Sequence, residues 1–290
     1  MAETASKVWT ILDILKVSEN LLKEKNIDKA RLNAELLLCD TLNTSRINLY
    51  LDFEKPLSEQ EISAFRTKIK RRINREPLQY ILGKSEFYGI TFSVNPSVLI
   101  PRQETELLVE KTIDIIHSEP AANNVLEIGT GSGCISIAAA SNIDCRIQAI
   151  DTNSDALQTA KENSEINKTG HKINFHLKNI LTDFEDFAGY NIILCNPPYI
   201  PINEMDSLQI EVKDYEPSSA LTDGGDGLAF YRKIISLAKK TAGRIHVLLE
   251  IGDNYKGKIE KLLKENSISN GIFYKDLLGI DRVLYLEFNN

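Results

Sequence analysis

The stretch Cys195-Asn196-Pro197-Pro198-Tyr199 combines residue types that can hold a small planar group bearing an NH2. Each proline fixes its own φ angle and donates no backbone hydrogen bond. Each also pushes the preceding residue out of the helical region, so the turn is stiff and extended. Carbonyl oxygens and the Asn196 side chain then point the same way, beside an aromatic ring. Asn-Pro turns are common, and this stretch alone equally fits the capped end of a strand.

A second group of residues with the capacity for chemistry is the loop Gly129-Thr130-Gly131-Ser132-Gly133, which follows an apolar run. Glycines in such a loop allow a tight turn and a close approach of the backbone to a ligand at a helix N-terminus. Asp151 follows 20 residues after Gly131. In nucleotide-binding α/β folds an acid at this position accepts hydrogen bonds from ribose hydroxyls.

The nature of the ligand follows from Glu127, which lies two residues before the glycine loop. A carboxylate there repels a pyrophosphate but suits an ammonium group. The spacing Gly-x-Gly-x-Gly also differs from the Gly-x-Gly-x-x-Gly of dinucleotide-binding folds. A ligand with a ribose, an amino group and no phosphate fits S-adenosylmethionine better than NAD.

These residues need elements that bring them together, and the chain from residue 124 onward alternates between strand and helix patterns. Regular alternation predicts a mainly parallel sheet covered by helices on both faces. Ligands of such sheets bind beyond the carboxyl ends of the strands. The residues expected around one cavity all follow predicted strand ends: the glycine loop, Asp151, Asn179, Ile180 and Asn196. Asn179 and Ile180 equally fit an ordinary loop cap and a buried anchor.

The N-terminal part of the chain has a different pattern. Residues 1–83 show apolar residues at helical spacing, and Ser58 with Glu61 has the form of a capping box that opens a helix ending at Ile73. A β-hairpin over residues 84–95 is predicted to link this helical domain to a second domain, residues 96–290. The basic run between Arg66 and Arg75 fits either a solvated helix face or a docking surface for a partner.

Composition narrows the classes of function. The chain has 290 residues and a net charge of −7. Residues 1–84 hold 15 Lys and Arg against 12 Asp and Glu, whereas residues 85–290 hold 19 against 29. The acidic larger part disfavours nucleic acid binding, which rewards a basic surface. Four isolated cysteines and four scattered histidines give no metal site or disulfide framework. With no apparent secretory signal in residues 1–15 and no membrane span, we expect a cytoplasmic protein.

Taken together, these motifs resemble class I methyltransferases that modify NH2 groups, and further segments resemble the HemK/PrmC family. Those segments are Pro77–Gly83, Phe87-Tyr88-Gly89, Leu99–Glu106, Glu216–Leu221, Asp223–Leu228 and Asp281-Arg282-Val283. The resemblance implies a Rossmann-like methyltransferase domain with a seven-stranded sheet and an antiparallel last strand, preceded by a small helical domain. It implies methylation, with S-adenosylmethionine as donor and S-adenosylhomocysteine as product, of the glutamine in the Gly-Gly-Gln motif of peptide-chain release factors.

The resemblance also assigns roles to residues. Asn196 and Pro197 would accept hydrogen bonds from the substrate NH2, and Tyr199 would stack on the flat amide, so these three are the predicted catalytic residues. Pro198 and Arg102 are predicted to contact substrate as well. The cofactor is predicted to bind at Glu127, Gly129, Thr130, Gly131, Ser132, Gly133, Asp151, Asn179, Ile180 and Asn196. The helical domain would dock the release factor, and the protein is expected to act as a monomer.

Other functions stay open at this point. A glutamine of a ribosomal protein is an alternative substrate. Adenine-N6 methylation of DNA shares the logic of the Asn-Pro-Pro-Tyr turn, because such enzymes flip a base that carries an NH2. The acidic second domain and the absence of a recognisable DNA-recognition domain disfavour it. A cofactor-binding regulatory module without catalysis would have no need of an intact Asn196–Tyr199 turn.

Overall fold

The computed structural model describes residues 8–290. Residues 1–7 lie outside the described part of the chain, and with them lies part of the predicted helical domain and of the stretch that was assessed for a secretory signal. Among the helices of residues 8–290, none has the length and apolar character that crossing a membrane requires.

Helices and strands are numbered in chain order. The α-helices are α1 Ile11–Glu24, α2 Ala30–Leu42, α3 Arg46–Leu51, α4 Glu59–Ile73, α5 Leu78–Leu82, α6 Glu106–Ser118, α7 Cys134–Asn142, α8 Ser154–Ile166, α9 Ile210–Lys213, α10 Ala229–Lys240 and α11 Lys256–Glu265. The strands are β1 Lys84–Phe87, β2 Ile90–Ser93, β3 Asn124–Ile128, β4 Arg146–Asp151, β5 Ile173–Leu177, β6 Ile192–Cys195, β7 Arg244–Glu250, β8 Ile272–Lys275 and β9 Asp281–Asn289.

The chain divides into two compact units, and the first is helical. It contains the residues up to Gly83 together with Ile210–Tyr215, so a six-residue segment from late in the chain belongs to it. The predicted capping box is confirmed, because the Ser58 hydroxyl accepts from the Glu61 N–H and the Glu61 carboxylate accepts from the Ser58 N–H. The apolar faces of α1, α2 and α4 meet in a core that includes Leu15, Leu37 and Phe65.

Most cations of the predicted basic run are engaged within this helical unit. Arg72 and Arg75 both pair with Glu211 of the inserted segment, at 3.1 and 3.2 Å. Other partners are Glu76 for Arg71 and Asp40 for Lys68. The side chains of Arg66 and Lys70 lie on the exposed surface of α4. The basic run therefore has two parts: some of its cations form ion pairs within the helical unit, and others form an exposed basic surface.

The second unit, Lys84–Gln209 and Glu216–Asn290, contains the hairpin β1–β2 and a seven-stranded sheet. The strand order is β5-β4-β3-β6-β7-β9-β8, and β9, the last strand of the chain, runs antiparallel to both neighbours. The predicted fold class is confirmed. The strand order reverses between β3 and β6, since the chain first adds β4 and β5 on one side and then β6 on the other. Open α/β sheets bind ligands at such a reversal.

The register of the central strands aligns their carboxyl ends. Ile128 of β3 pairs with Ile150 of β4 and with Cys195 of β6, and Cys195 pairs in turn with Leu249 of β7. The residues that follow these partners therefore lie at one level, at the carboxyl edge of the sheet. They are Gly129, Asp151, Asn196 and Glu250. One of the four, Glu250, has no counterpart among the site residues predicted from sequence.

Candidate active site

One cavity at the carboxyl ends of β3, β4 and β6 lies entirely within the second unit. The predicted site residues that line it are Arg102, Gly129, Thr130, Gly131, Ser132, Asp151, Asn179, Ile180, Asn196 and Pro198. Four predicted residues, Glu127, Gly133, Pro197 and Tyr199, do not line this cavity. Thr105, which was not predicted, does.

The glycine loop is tied to the neighbouring strand by its backbone. The N–H groups of Gly129 and Thr130 both donate to the Ile150 carbonyl, at 2.9 and 3.0 Å. Gly131 has a φ of +53°, a conformation that side chains disfavour. At Gly133 a Cβ would lie 3.2 Å from the Ala160 Cβ, so this glycine allows α7 and α8 to pack closely. Its place behind the loop explains why it does not line the cavity.

Asp151 joins the loop to the end of β4. Its Oδ2 accepts a hydrogen bond from the Gly131 N–H and its Oδ1 accepts one from the Asn153 N–H, both at 2.9 Å. Each carboxylate oxygen has a second lone pair for a further donor. The carboxylate is therefore held in place while it keeps the capacity to accept from ligand hydroxyls.

Glu127 is fully buried beneath the loop. Its Oε2 accepts from the hydroxyls of Thr130, at 2.8 Å, and Ser136. Its Oε1 has no hydrogen-bond partner. Burial raises the pKa of this carboxyl to about 7, although the two hydroxyl hydrogen bonds oppose the shift. A buried acceptor without a partner is unusual, and a ligand with a hydrogen-bond donor would satisfy this one.

Asn179 and Ile180 occupy the loop after β5. The Asn179 Oδ1 accepts from the Leu181 N–H at 2.9 Å, so its side chain caps this loop. Ile180 is 2% exposed and belongs to the apolar core. Both residues serve the loop structurally and also face the cavity.

Asn196 is held by two residues that sequence reasoning missed. Its Nδ2 donates to the Thr105 hydroxyl oxygen at 3.2 Å, and that hydroxyl donates to Glu250 Oε2 at 2.6 Å. Thr105 and Glu250 are 2% and 3% exposed. Burial raises the pKa of the Glu250 carboxyl to about 7. The sequence contained a signal for Glu250, since it ends the apolar strand β7 and an acid is rarely buried without a functional or structural cause.

Tyr199 packs against Tyr255, with ring centroids 5.8 Å apart. Two glycines make room for it. A Cβ at Gly227 would lie 2.0 Å from the Tyr199 carbonyl oxygen, and a Cβ at Gly252 would lie 2.9 Å from its ring. The Asp223 carboxylate accepts from the N–H groups of Gly225 and Gly227, and these hydrogen bonds hold Gly227 in place beside Tyr199.

Arg102 lies at the cavity wall and pairs with a buried acid. Its guanidinium donates to Glu216 Oε1 at 2.6 Å, and Glu216 Oε2 accepts from the Ile100 N–H at 3.2 Å. Glu216 is 6% exposed, whereas the Arg102 side chain is 35% exposed. The pair ties two cavity-lining segments, one before the sheet and one after the Asn196 turn.

Comparison with known proteins assigns this arrangement to a family. A model of the PrmC N-terminal domain matches residues 13–83, and a methyltransferase small domain matches residues 103–225. The chain is 37% identical to a release factor glutamine methyltransferase of Geobacter sulfurreducens over 280 residues, 96% of either chain. It is 41% identical to one of Leptospira interrogans, over 96% of this chain and 98% of that protein. The chain belongs to the release factor glutamine methyltransferase family.

A solved structure supports the fold of this family member independently of sequence. The catalytic domain of hMettl16, solved in complex with an RNA hairpin, superposes with a TM-score of 0.54 at 15% identity. The match covers 79% of this chain and 81% of that one. At this low identity the likeness shows the methyltransferase fold alone.

The residues that line the cavity, together with Glu127 beneath the glycine loop, fit S-adenosylmethionine, the methyl donor of this methyltransferase. Two buried polar atoms have no hydrogen-bond partner and are available to a ligand: Glu127 Oε1 and the Ser132 hydroxyl oxygen. Glu127 would accept from the ammonium group and Asp151 from the ribose hydroxyls, while the glycine loop admits the ligand without side chains in the way. When bound, the cofactor supplies an electrophilic methyl group on a sulfonium.

We expect Gly252→Ala to displace the Tyr199 ring and to lower the methyl-transfer rate by about 100-fold, because misplacement of a reacting group by about 1 Å costs this much. Cofactor affinity, measured by calorimetry, should stay within about twofold, since Gly252 does not line the cavity. Gly257→Ala is a matched control, because nothing lies within 4 Å of the added Cβ. A wild-type rate in Gly252→Ala would contradict this role for Tyr199 packing.

We expect cofactor affinity to fall as the pH drops below about 7. The pKa of Glu127 in the ligand-free protein is about 7, and only the ionised form attracts an ammonium group. Binding therefore releases a proton at acid pH, and the affinity should weaken by about tenfold for each pH unit below that pKa. Calorimetry between pH 5.5 and 8.5 measures this. Glu127→Gln should bind weakly with a flat profile, and a sloping profile in that variant would assign the dependence to another group.

Proposed function

We propose that this protein transfers a methyl group from S-adenosylmethionine to the side-chain amide nitrogen of the glutamine in the Gly-Gly-Gln motif of peptide-chain release factors. The observation that carries the proposal is the placement of Asn196 in the cavity wall, with its Nδ2 bonded to Thr105 and its Oδ1 left to accept. Such an oxygen can accept a hydrogen bond from a substrate NH2 group. The family to which the chain belongs supplies the release factor as the protein that carries the glutamine.

The difficulty of this chemistry is that an amide nitrogen is a poor nucleophile, because its lone pair is delocalised into the carbonyl. Hydrogen bonds from the substrate NH2 to Asn196 Oδ1 and the Pro197 carbonyl would orient the nitrogen toward the methyl donor. The same two acceptors would stabilise positive charge as it develops on that nitrogen. A general base is not required, since the nitrogen becomes strongly acidic once it carries the methyl group and the charge.

We assign supporting roles to the residues around the turn. Tyr199 would lie against the flat amide and fix its plane, with Pro198 as part of the apolar wall. Burial raises the pKa of the Tyr199 phenol, and the negative charge of Glu250 raises it further. The phenol therefore stays neutral at neutral pH. Arg102, anchored by Glu216, would face the polar backbone of the substrate motif.

The proposed substrate is tested by methyl transfer to an unmodified release factor and to its variant with alanine in place of the Gly-Gly-Gln glutamine. We expect a mass increase of one methyl group on the first protein alone. Asn196→Ala should lose most of the turnover, by about 100-fold or more, with a modest change in cofactor affinity. Equal labelling of both factors would place the target elsewhere and turn attention to ribosomal protein glutamines. No labelling with cofactor binding intact would favour a nucleic acid substrate.

We further propose that the protein works as a monomer in the cytoplasm without direct contact to nucleic acid. The charge distribution supports the last part of this proposal, the absence of nucleic acid contact, since residues 85–290 hold 29 acidic against 19 basic residues. Such a surface is repelled by phosphate backbones.

The helical domain predicted from the sequence, residues 1–83, is proposed to dock a second surface of the release factor. Support comes from a groove between α1 and α4 whose walls are apolar and whose rim is basic. It is lined by Trp9, Ile14, Val17, Ser18, Leu21, Phe65, Arg66, Ile69, Lys70 and Ile73. Arg66 and Lys70 are the exposed cations of the basic run on this helix. A partner segment with apolar and acidic residues fits such a groove.

We expect the double variant Arg66→Glu/Lys70→Glu to raise the KM for the whole release factor by about tenfold and to leave the KM for a short Gly-Gly-Gln peptide unchanged. Charge reversal at a rim chiefly slows association. Lys261→Glu/Lys264→Glu on α11 is the matched control, because both lysines are exposed on a helix of the other unit. Equal effects on factor and peptide would refute docking by the helical unit.

A further inference from the structure

The Asn196 side chain ends a line of three buried or half-buried polar groups. Asn196 Nδ2 lies 3.2 Å from Thr105 Oγ1, which lies 2.6 Å from Glu250 Oε2. The strand register brings the two ends together, since Asn196 and Glu250 follow the paired residues Cys195 and Leu249. The backbone at Glu250 is anchored as well, because its carbonyl accepts from the Tyr231 hydroxyl at 2.7 Å.

The order of donors along this line follows from chemistry. An ionised carboxylate only accepts hydrogen bonds, so Thr105 must spend its single hydroxyl proton on Glu250. The Thr105 oxygen then offers only lone pairs to Asn196. An amide can approach a lone pair only with its NH2, so Nδ2 must face Thr105 and Oδ1 must face away from it. The orientation of the Asn196 amide is thus decided by a residue two hydrogen bonds away.

We propose that Thr105 and Glu250 are positioning residues that lock the Asn196 amide with Oδ1 as its free end, and that this lock makes the site select an amide NH2 over a carboxylate. The inference rests on the proposed function for the identity of the substrate. A glutamine NH2 donates to the free Oδ1, whereas a glutamate carboxylate in the same place meets an acceptor and is repelled. Without the lock, Asn196 can turn its NH2 toward the substrate, and the site then no longer discriminates glutamine from glutamate.

The lock depends on the charge of Glu250. A protonated Glu250 can donate to Thr105 Oγ1, and the freed Thr105 proton can then bond to Asn196 Oδ1 with the amide reversed. The charged side chains that act on Glu250 are Arg282 and Arg102, which favour its ionised form, and Glu104, which opposes it. Tyr199, Tyr231, Cys134 and Cys195 also feel its charge, but burial raises the pKa of each, so all four stay neutral.

Turnover at saturating cofactor and release factor should therefore rise with pH. The pKa of Glu250 is about 7, and the competent orientation requires the ionised form. The rate constant should be about tenfold higher at pH 8 than at pH 6. Glu250→Gln keeps an acceptor oxygen that does not titrate, so its rate should change by less than about threefold over the same range. An unchanged slope in Glu250→Gln would overturn the role of this residue.

The selectivity is tested with Thr105→Val in the full-length protein. The ligands are the unmodified release factor and its Gly-Gly-Glu variant, titrated calorimetrically in the presence of S-adenosylhomocysteine. The wild-type preference for glutamine should shrink by about tenfold, the worth of one charge-assisted hydrogen bond, and kcat should fall by a similar factor. Thr105→Ser keeps the hydroxyl and should restore both values. The control is Thr112→Val, another buried threonine, whose hydroxyl donates only to the Leu108 carbonyl.

A readout independent of any substrate separates this inference from the proposed function. The side-chain NH2 resonances of Asn196, assigned by their loss in Asn196→Ala, should titrate with a midpoint near the pKa of Glu250, about 7. They should shift in Thr105→Val and not in Thr112→Val. An invariant Asn196 signal would overturn the lock even if release factors are methylated. A titrating signal with no methylation of release factors would sustain the lock and refute the proposed substrate.

Discussion

The in-register pairing of four parallel strands is the constraint on which the site depends. The carboxyl ends of β4, β3, β6 and β7 lie within one residue of the same level, because Ile150, Ile128, Cys195 and Leu249 are partners across the sheet. The residues that follow these partners therefore lie at one edge of the sheet, where ligands of open α/β sheets bind. A slip of one residue in any pairing would turn its side chains to the opposite face. Both faces of the sheet are buried among apolar residues, so such a slip is unfavourable and the register that positions the site is maintained.

The polar residues at that edge are buried in a way that costs stability. Glu127 and Glu250 are both nearly inaccessible, and burial raises the pKa of each carboxyl to about 7. Hydroxyl donors offset part of the cost: Thr130 and Ser136 for Glu127, and Thr105 for Glu250. Residues kept at such a cost tend to lie at functional sites. In the proposed function, Glu127 binds the cofactor and Glu250 orients Asn196 for the substrate.

Much of the fold and of the cavity could be predicted from the sequence because the relevant signals are local. The alternation of apolar strands with helices, the glycine loop, and the acid at the end of β4 each lie within one short segment. The capping box at Ser58 and Glu61 is equally local, and it was confirmed. A residue at or directly after the end of a strand can be placed at the edge of the sheet from its sequence position alone. For this reason Asp151 and Asn196 could be named in advance, while Gly252, known only by what packs against it, could not.

The sequence by itself therefore determined the class of chemistry: a stiff Asn-Pro-Pro-Tyr turn, a ligand loop and acids suited to an ammonium and a ribose. Only the tertiary structure decided how Asn196 is oriented and what holds Tyr199. Thr105 precedes Asn196 by 91 residues and Glu250 by 145, and their contact depends on β6 lying beside β7. Hydrogen bonds act over about 3 Å, whatever the separation along the chain. No local pattern records which distant donor meets which acceptor, because only the strand order together with the packing of the segment before α6 brings them within reach.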